Sequence, residues 1–297
     1  MKILITGASG GIGKILIKKL IKANFDDLAV LSRGKFKFRE TEKIKIKIGN
    51  LNNFDSLDKA LKNIDVIIHL AGITHTNKTK RYFKINADGT KNLLQAAEKN
   101  FVKKFIFVSS RAASEVGGAY AYSKLLAEQM VKKYKFSWII LKPAEVYGAK
   151  NDEAVQKLIN KIKKSYFIPV PRKGEFELSP VFVDDVVAVI INSIQTLKNN
   201  TSYILAGANS FSYKNLVNLI ARACNKKIKI IYVPIFILKI IAFVFPRLLV
   251  SDQIPRLLVK KSDDISLARE YLNFNPRNFK EWVKNLKWVL ILVICAP

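Results

Sequence analysis

The sequence predicts an α/β fold, a doubly wound parallel sheet with a smaller, interleaved C-terminal α/β region. The first observation is the opening of the chain, where the apolar run Ile3–Ile5 leads into a glycine-rich turn and then a helical pattern. The second is that short apolar runs and helical patterns go on alternating as far as Pro143, which is typical of strand–helix–strand units. Sheets of this kind bind ligands at the carboxyl ends of their strands.

The glycine-rich turn after the first strand has the spacing of a dinucleotide diphosphate site. Gly7 allows the tight turn, Gly10 the close approach of a phosphate, and Gly13 the close packing of helix on strand. Backbone N–H groups and the positive end of the helix attract a diphosphate. A glycine-rich loop without a ligand is the alternative. The residues predicted to bind the cofactor here are Gly7, Ser9, Gly10, Gly11, Ile12 and Gly13.

The residues after the second predicted strand, Asp27–Leu31, indicate which cofactor is bound. An acidic residue at this place binds the ribose 2′-hydroxyl of NAD, whereas an arginine accommodates the 2′-phosphate of NADP. This chain has Ser32 and Arg33 there, and its next carboxylate is Glu40. Serine and arginine both donate hydrogen bonds to phosphate. NADP(H) is therefore the favoured cofactor and NAD(H) the alternative.

The middle of the chain continues the alternation of strands and helices. The repeated Lys-Ile pairs over 43–48 predict a strand with one solvent-exposed face. The apolar run Val66–Leu70 predicts a strand buried on both faces. A helix is expected after Asn52 or Asn53, whose side chains suit an N-cap, and a fifth strand ends at Ser110.

The residues that carry chemistry lie on the next helix. Tyr120 and Lys124 are four residues apart and therefore share one helix face. A nearby ammonium favours the phenolate and brings the phenol toward the range of general acid–base catalysis. Tyr122 has Leu126 four residues on and lacks such a partner. Ser110 is expected to hold the reacting oxygen beside Tyr120. The alternative is a solvated helix face without a catalytic role.

Several motifs occur together along nearly the whole chain. They are Thr6–Gly13, His69–Gly72, Asn86–Thr90, Val108–Ser110, Tyr120 with Lys124, Leu141–Gly148, Val181–Val186 and Leu272–Pro276. With these motifs the chain resembles the extended short-chain dehydrogenases/reductases, which include sugar-nucleotide epimerases and dehydratases. The resemblance implies a Rossmann-type sheet and hydride transfer to or from a nicotinamide. It implies that Tyr120 is the general acid/base, that Lys124 binds the nicotinamide ribose, and that Ser110 aligns the reacting oxygen.

The resemblance implies further site residues. By analogy Asn50 sits near the adenine, Ala71 lines the cofactor, and Pro143 lies against the nicotinamide end. The cofactor-binding residues added in this way are Asn50, Leu51, Leu70, Ala71, Gly72, Asn86 and Pro143, and the substrate-binding residues are Ser110, Val146 and Arg172. Arg172 is a candidate because arginine binds diphosphates through paired donors.

The second half of the chain predicts an interleaved organisation. Strands at 137–141 and 203–206 are expected to join the sheet, and Asp184 or Asp185 is expected to begin a helix. The predicted division is 1–142 with 181–206 for the NAD(P)-binding Rossmann domain, and 143–180 with 207–297 for the substrate-binding region.

The chain of 297 residues carries a formal net charge of +28. Its basic residues are spread along the whole length, so no nucleic-acid partner is indicated. A lysine-rich proteome is one explanation, and attraction to anionic sugar nucleotides or to an anionic membrane surface is another. The apolar stretches 230–245 and 288–296 are too short or too interrupted to span a membrane. Core packing is expected for the first, with peripheral membrane contact as the alternative.

Two further features bear on location and metals. Cys224 and Cys295 form no disulfide framework, and the opening strand does not resemble a signal peptide, so a cytoplasmic protein is expected, with membrane association as the alternative. His69 and His75 are the only histidines, so no metal site is expected.

These expectations converge on an NAD(P)-dependent sugar-nucleotide epimerase or 4-ketoreductase that serves polysaccharide synthesis as a homodimer. Ser32 and Arg33 favour the reductase, because an epimerase recycles a tightly held NAD. One alternative is a reductase of another carbonyl, as in the steroid and flavonol branches of the family. The other is a non-catalytic, NADP-binding accessory subunit of a membrane complex.

Overall fold

The computed structural model describes residues 1–34, 43–149, 154–245 and 249–285. Within this part of the chain, seven parallel strands form one sheet in the order β11-β6-β5-β4-β1-β2-β3. The strands of this sheet are β1 (Ile3–Thr6), β2 (Leu28–Ser32), β3 (Ile44–Ile48), β4 (Val66–His69), β5 (Lys104–Val108), β6 (Ser137–Pro143) and β11 (Thr201–Leu205). The doubly wound α/β prediction is confirmed.

Helices cover both faces of the sheet and continue into the second half. They are α1 (Gly11–Lys22), α2 (Phe54–Ala60), α3 (Lys80–Tyr82), α4 (Gly89–Lys99), α5 (Gly118–Val131), α6 (Ala154–Lys164), α7 (Val183–Gln195), α8 (Tyr213–Ala223), α9 (Ile235–Val244), α10 (Gln253–Leu258) and α11 (Ser266–Leu272). A π-helical segment, Phe83–Asp88, joins α3 to α4. Residues 279–285 are also helical.

The central strands are apolar on both sides because a helical layer covers each face of the sheet. Every residue of β1 and of β4 is buried. One apolar cluster joins the sheet to α1 and α7, and the other joins it to α2, α4 and α5. The edge strand β3 differs from its prediction, because Ile46 and Ile48 are 38% and 61% exposed and only Ile44 is buried. It lies at the end of the sheet, where the helical layers cover less of a strand.

His69 joins three elements inside the core. Its Nδ1 lies 2.6 Å from the Thr6 hydroxyl on β1, and its Nε2 lies 3.0 Å from the Thr90 hydroxyl on α4. Burial, together with the positive charge of Lys124, lowers the pKa of His69 to about 3. The ring is therefore neutral, and each of its nitrogens is paired with a hydroxyl.

A third apolar cluster holds together a smaller region, which is built from segments on either side of α7. Strands β8 (Phe167–Pro171) and β13 (Lys229–Val233) pair in parallel, and α6 packs against α8. The shorter strands here are β7 (Val146–Tyr147), β9 (Glu177–Leu178), β10 (Val181–Phe182) and β12 (Phe211–Ser212). These segments alternate along the chain with those of the sheet. The domain boundaries given above stay a prediction.

The second half differs from expectation at two junctions. Strand β6 extends to Pro143, which pairs with Leu205 on β11. Helix α7 begins at Val183, so Asp184 and Asp185 lie in its first turn rather than before it. They bind neighbouring cations instead of capping the helix: Asp184 pairs with Lys19 at 3.1 Å, and Asp185 pairs with Arg277 at 3.1 Å.

Helix α9 does not pack into the core as expected for the stretch 230–245. Ala242 is its only buried residue, whereas Phe236, Ile240 and Phe243 are 64%, 56% and 87% exposed. The helix lies on the outside of the smaller region, so only one side of it contacts other residues. None of the described helices has the length and apolar character needed to cross a membrane. The stretch 288–296 lies outside the described residues.

Candidate active site

A cavity of about 1060 Å³ runs along the carboxyl ends of β1, β4, β5 and β6 and continues into the smaller region built around β8, β13, α6 and α8. Most of the predicted site residues line it, namely Gly7, Ser9, Gly10, Gly11, Ile12, Gly13, Leu70, Gly72, Asn86, Ser110, Tyr120, Lys124, Pro143 and Val146. The predicted residues that do not line it are Ser32, Arg33, Asn50, Leu51, Ala71 and Arg172. The fold therefore brings the glycine turn and helix α5, which carries Tyr120 and Lys124, to one cavity.

The glycine turn has no room for side chains at two of its positions. Gly7 has a φ of +71°, and a Cβ there would lie 2.6 Å from the backbone nitrogen of Ala71. A Cβ on Gly13 would lie 2.5 Å from the carbonyl oxygen of Gly7. Gly10 precedes α1, and no side chain caps the helix. The N–H groups of the first turn are thus available to an anion, as a dinucleotide diphosphate requires.

Tyr120 lies in the first turn of α5 and is only 8% exposed. Ser110, which follows β5, lines the same cavity, and its hydroxyl is one of the groups that lower the pKa of Tyr120. Ser110 also accepts a hydrogen bond from the Ala112 backbone N–H at 3.2 Å, which holds its hydroxyl in place. The two side chains chosen from the sequence as proton-transfer groups are thus adjacent. Tyr122 on the same helix is 39% exposed and does not line the cavity.

Lys124 is buried one turn beyond Tyr120. Its ammonium donates a hydrogen bond to the Val108 carbonyl at 2.9 Å and lies 4.2 Å from the centre of the Phe107 ring. Burial lowers the pKa of Lys124 to about 8, although the Glu128 carboxylate opposes this. The ammonium is anchored by strand β5 at the cavity wall, where it is placed to bind a hydroxyl group of a bound molecule.

Arg256, which the sequence analysis missed, places a positive charge against the Tyr120 ring. The guanidinium lies 4.0 Å from the ring centre and belongs to helix α10. Its partner Asp252 accepts from Arg256 at 2.7 Å and from the Ala119 N–H at 2.5 Å, and it lies 3.3 Å from the Tyr120 N–H. Asp252 therefore caps the catalytic helix. The Asp-x-x-x-Arg spacing alone predicts a helical ion pair, and nothing in it points to Tyr120.

The pKa of Tyr120 differs from the prediction. Burial raises it above its ordinary value, and the opposing effects come first from Arg256 and then from Ser110. The expected lowering by Lys124 is not among the principal effects, because the ammonium is turned to Val108. In this structure the phenol is therefore protonated, and Arg256 is the group that most favours the phenolate.

Polar contacts hold the catalytic helix against the sheet. Buried Glu128 accepts from Ser109 at 2.5 Å and from Lys142 at 2.9 Å, which ties α5 to β5 and β6. Asn86, in the π-helical segment, donates to the Ser123 hydroxyl at 3.1 Å and accepts from the Ile73 N–H at 2.9 Å. These bonds place Tyr120 and Lys124 rigidly at the cavity, as precise proton transfer requires.

An ion-pair cluster contributes Arg111, Glu145 and Lys261 to the lining of the cavity. Arg111 pairs with Asp263 and with Glu145 at 2.8 Å, and Lys261 lies 3.3 Å from the same Glu145. Burial alone would raise the pKa of Glu145, but Lys261 and Arg111 hold it below its ordinary value. Ser179 donates to Asp263 at 2.5 Å. The cluster joins β5, β6 and the segment after α10.

The residues predicted to lie near the adenine gather at the ends of β2 and β3. The Gly49 N–H donates to the Ser32 carbonyl at 2.9 Å, and the Ser32 hydroxyl donates to the Gly34 carbonyl at 2.7 Å. Asn50 accepts from the Asn52 N–H at 3.1 Å. This edge adjoins the glycine turn, because β2 pairs with β1. The cofactor roles of these residues stay predictions, and Glu40 lies outside the described residues.

Two further predictions have plain outcomes. Arg172 is exposed, with a φ of +52°, beyond the end of β8, while the neighbouring Pro171 lines the cavity. Its assignment to substrate gains no support from the geometry. Among the described residues, no group of histidine, cysteine, aspartate or glutamate side chains is arranged to hold a metal ion.

The site fits a nicotinamide dinucleotide on its own geometry. The uncapped start of α1 suits the diphosphate, and the buried ammonium of Lys124 suits a ribose hydroxyl. Tyr120 and Ser110 then lie where a substrate hydroxyl or carbonyl would be held beside the nicotinamide. Such a cofactor supplies a hydride acceptor and donor, while the protein supplies orientation and a proton.

Comparisons with known proteins agree with this geometry. The sequence model of the NAD dependent epimerase/dehydratase family matches residues 3–206. The UDP-glucose 4-epimerase of Vibrio cholerae is 26% identical, over 92% of this chain and 90% of that protein. The N-acetyl-alpha-D-glucosaminyl-diphospho-ditrans,octacis-undecaprenol 4-epimerase of Escherichia coli O157:H7 is 25% identical, over 78% of this chain and 75% of that protein.

A solved structure has the same fold. The UDP-glucuronic acid 4-epimerase from Bacillus cereus, in complex with UDP-glucuronic acid and NAD, superposes with a TM-score of 0.77 at 21% identity. The match covers 99% of this chain and 100% of that chain. The chain therefore belongs to the NAD dependent epimerase/dehydratase family and is an NAD-dependent enzyme of the extended short-chain dehydrogenase/reductase type.

Proposed function

We propose that this enzyme epimerises a hexose joined through a diphosphate to a carrier, the class of substrate to which sugar nucleotides belong. The carrying observation is that Ser110, Tyr120 and Lys124 line one cavity with the glycine turn. The relatives named above include 4-epimerases of a nucleotide-linked and of a lipid-linked sugar diphosphate. Their shared chemistry is inversion at one hydroxyl-bearing carbon.

The proposed mechanism uses Tyr120 in both directions. As the phenolate it would remove the proton of the 4-hydroxyl, and a nicotinamide dinucleotide held by the glycine turn and Lys124 would accept the hydride of C4, which gives a 4-keto sugar. The sugar then presents its other face, the hydride returns to C4, and Tyr120 returns the proton to the oxygen. Ser110 donates a hydrogen bond to the reacting oxygen. Arg256 stabilises the phenolate, and Asp252 holds the start of the catalytic helix in place.

A substrate panel tests this proposal. Purified enzyme is incubated with individual UDP- and other nucleotide-linked hexoses, and the products are separated by anion-exchange chromatography. The expected result is a C4-inverted product without net consumption of cofactor. Formation of a reduced sugar with stoichiometric loss of NADPH would instead identify the alternative, a 4-ketoreductase.

The cofactor preference is a separate proposal, because Ser32 and Arg33 favour the 4-ketoreductase alternative over the epimerase. Ser32 and Arg33 after β2 support NADP(H), because both side chains can donate to a 2′-phosphate. NADH and NADPH are titrated while nicotinamide fluorescence is followed, and tighter binding of NADPH is expected. Arg33→Glu should reverse the order. Equal affinity of the native chain for both cofactors would contradict this preference.

Two other activities remain distinct outcomes of the same assays. A reductase of another carbonyl would oxidise NADPH with steroid- or flavonol-like ketones and ignore every sugar diphosphate. A non-catalytic accessory subunit would bind NADPH, turn over nothing and copurify with a membrane complex. The intact set of Ser110, Tyr120 and Lys124 at the cavity favours catalysis over the second outcome.

Homodimerisation through the outer faces of α4 and α5 is also proposed. Tyr122, 39% exposed, packs edge-on against Phe83 at 6.0 Å and adds aromatic surface to this side. Sedimentation equilibrium should give twice the chain mass, and Tyr122→Lys should weaken the association. Cytoplasmic placement, which is expected from the two cysteines, and peripheral membrane contact, which is expected from the charge and the apolar stretches, are tested by cell fractionation.

A further inference from the structure

Helix α9 exposes apolar side chains on the outside of the molecule. Its sequence is Ile-Phe-Ile-Leu-Lys-Ile-Ile-Ala-Phe-Val, with Lys239 as the one polar residue. Phe236, Ile240 and Phe243 are all more than half exposed, as is Phe245 directly after the helix. Contiguous exposed apolar surface of this kind marks a site of interaction. A helix of ten residues is about 15 Å long, so it can lie on a bilayer and not cross it.

The other side of α9 lines the active-site cavity. Leu238 and Ile241 face the same cavity as Tyr120 and the glycine turn. Around them the cavity wall is largely aliphatic, with Leu158, Leu216, Val233 and Leu257 among its residues. A nucleotide base and ribose need several polar partners, whereas this wall offers mainly apolar contacts. The helix thus separates an apolar part of the cavity from an apolar outer surface.

The region that carries α9 is strongly basic. The segments 154–174 and 212–245 contain twelve lysines and arginines and no aspartate or glutamate. They form one unit, because β8 pairs with β13 and α6 packs on α8. Basic residues flanking an apolar interfacial helix are attracted to the negative surface of anionic lipids. This local excess of positive charge indicates an anionic partner more specifically than the net charge of the chain does.

We propose that α9 seats this end of the cavity on an anionic lipid bilayer, and that the carrier of the sugar diphosphate is a lipid. The outer side chains of α9 enter the boundary of the acyl chains, and Lys239 with the nearby basic residues contacts lipid phosphates. The lipid carrier lies against Leu238 and Ile241, while its sugar reaches Tyr120 and Ser110. The substrate part of this proposal rests on the proposed epimerase function.

Vesicle binding tests the membrane contact without requiring turnover. The full chain is sedimented with phosphatidylcholine vesicles, with and without phosphatidylglycerol. Binding to the anionic vesicles is expected, and it should weaken as salt is raised. The triple variant Phe236→Ser, Ile240→Ser, Phe243→Ser should lose on the order of 100-fold in partition. Because these side chains are exposed, its thermal unfolding should match that of the native chain.

Two controls locate the effect. Phe101→Ser with Leu197→Ser removes apolar side chains that are 88% and 94% exposed elsewhere, and this variant should bind vesicles like the native chain. A chain ending at residue 285 lacks the apolar stretch 288–296 and should retain binding through α9. The proposal is overturned by equal binding of the triple variant, or by a native chain that ignores vesicles and instead forms a dimer that the triple variant breaks.

Turnover assays then test the proposed lipid carrier separately from the proposed epimerase reaction. The same hexose is supplied as a polyprenyl diphosphate in anionic vesicles and as a UDP ester in solution. The expected result is at least tenfold higher kcat/KM for the lipid-linked form, a preference that the triple variant loses while its turnover of the UDP ester is unchanged. Higher kcat/KM on the UDP ester overturns the lipid carrier and leaves the epimerase function intact. Inactivity on both, with NAD(P) still bound, overturns the proposed function itself.

Discussion

Two regions meet at Tyr120, and they differ in how the chain brings them there. On one side, α5 and the strand ends supply Tyr120, Lys124 and Ser110, which lie within fifteen positions of one another. On the other side, the segment around α10 supplies Asp252 and Arg256 from more than 130 positions away. The first region contains the proposed reacting groups, and the second sets the helix end and the charge around them. Short sequence separations therefore allow the proposed reacting groups to be predicted, whereas the residues that surround them in the fold are harder to predict.

The largest expected effect tests the first region. Tyr120→Phe should lower kcat by about 10³-fold or more, because no other side chain at this position can exchange the proton. Affinity for NAD(P) should change less than about twofold. Initial rates and nicotinamide fluorescence measure the two quantities. Tyr122→Phe on the same helix is the matched control and should keep native activity; the assignment fails if the two variants are equally active.

The second effect tests the segment around α10. Asp252→Ala removes the cap of α5 and leaves Arg256 without its carboxylate partner, so the free energy of unfolding should fall by about 3 kcal/mol. Asp252→Asn keeps an acceptor for the helix end and should lose less. Urea denaturation measures both. Exposed Asp26→Ala is the control. A similar loss in its free energy of unfolding would show that capping of α5 by Asp252 does not contribute to stability.

The third effect concerns His69, within the first region. Its folded pKa of about 3 lies below the unfolded value, so the unfolded chain binds more protons as the pH falls below about 6.5. Stability contributed by the neutral ring is complete at higher pH and is lost toward pH 3, with about 2 kcal/mol gone by pH 5. Unfolding free energies from pH 8 to pH 5 measure this loss. His69→Gln should lack that part of the slope, whereas exposed His75→Gln should retain it.

The smallest effect asks whether the two regions are coupled. Arg256→Leu removes the cation that most favours the phenolate, so the pKa of Tyr120 should rise further. The rate should then fall about tenfold at neutral pH, and its increase with pH should move to higher pH. Arg256→Lys should restore much of the native pH profile, and exposed Arg269→Leu is the control. A lower rate with an unmoved pH profile would reduce Arg256 to a purely structural role.

Much of the first region could be predicted because local sequence determines it. Gly7 needs a positive φ and Gly13 a close backbone approach, and both requirements exclude other residues from a short motif. The i, i+4 spacing likewise places Tyr120 and Lys124 on one helix face. The direction of the Lys124 ammonium could not be predicted, because the carbonyl it binds belongs to another strand.

The sequence by itself determined the doubly wound sheet, the family and the residues proposed to carry the reaction, because these depend on periodicity and on short motifs. Only the tertiary structure decided what surrounds them. It placed Arg256 on the Tyr120 ring, Asp252 at the end of α5, and α9 between the cavity and the outer surface. Such contacts join distant segments, and a basic or apolar residue gives no local sign of the partner it will meet. Burial and long-range charge are properties of the folded chain.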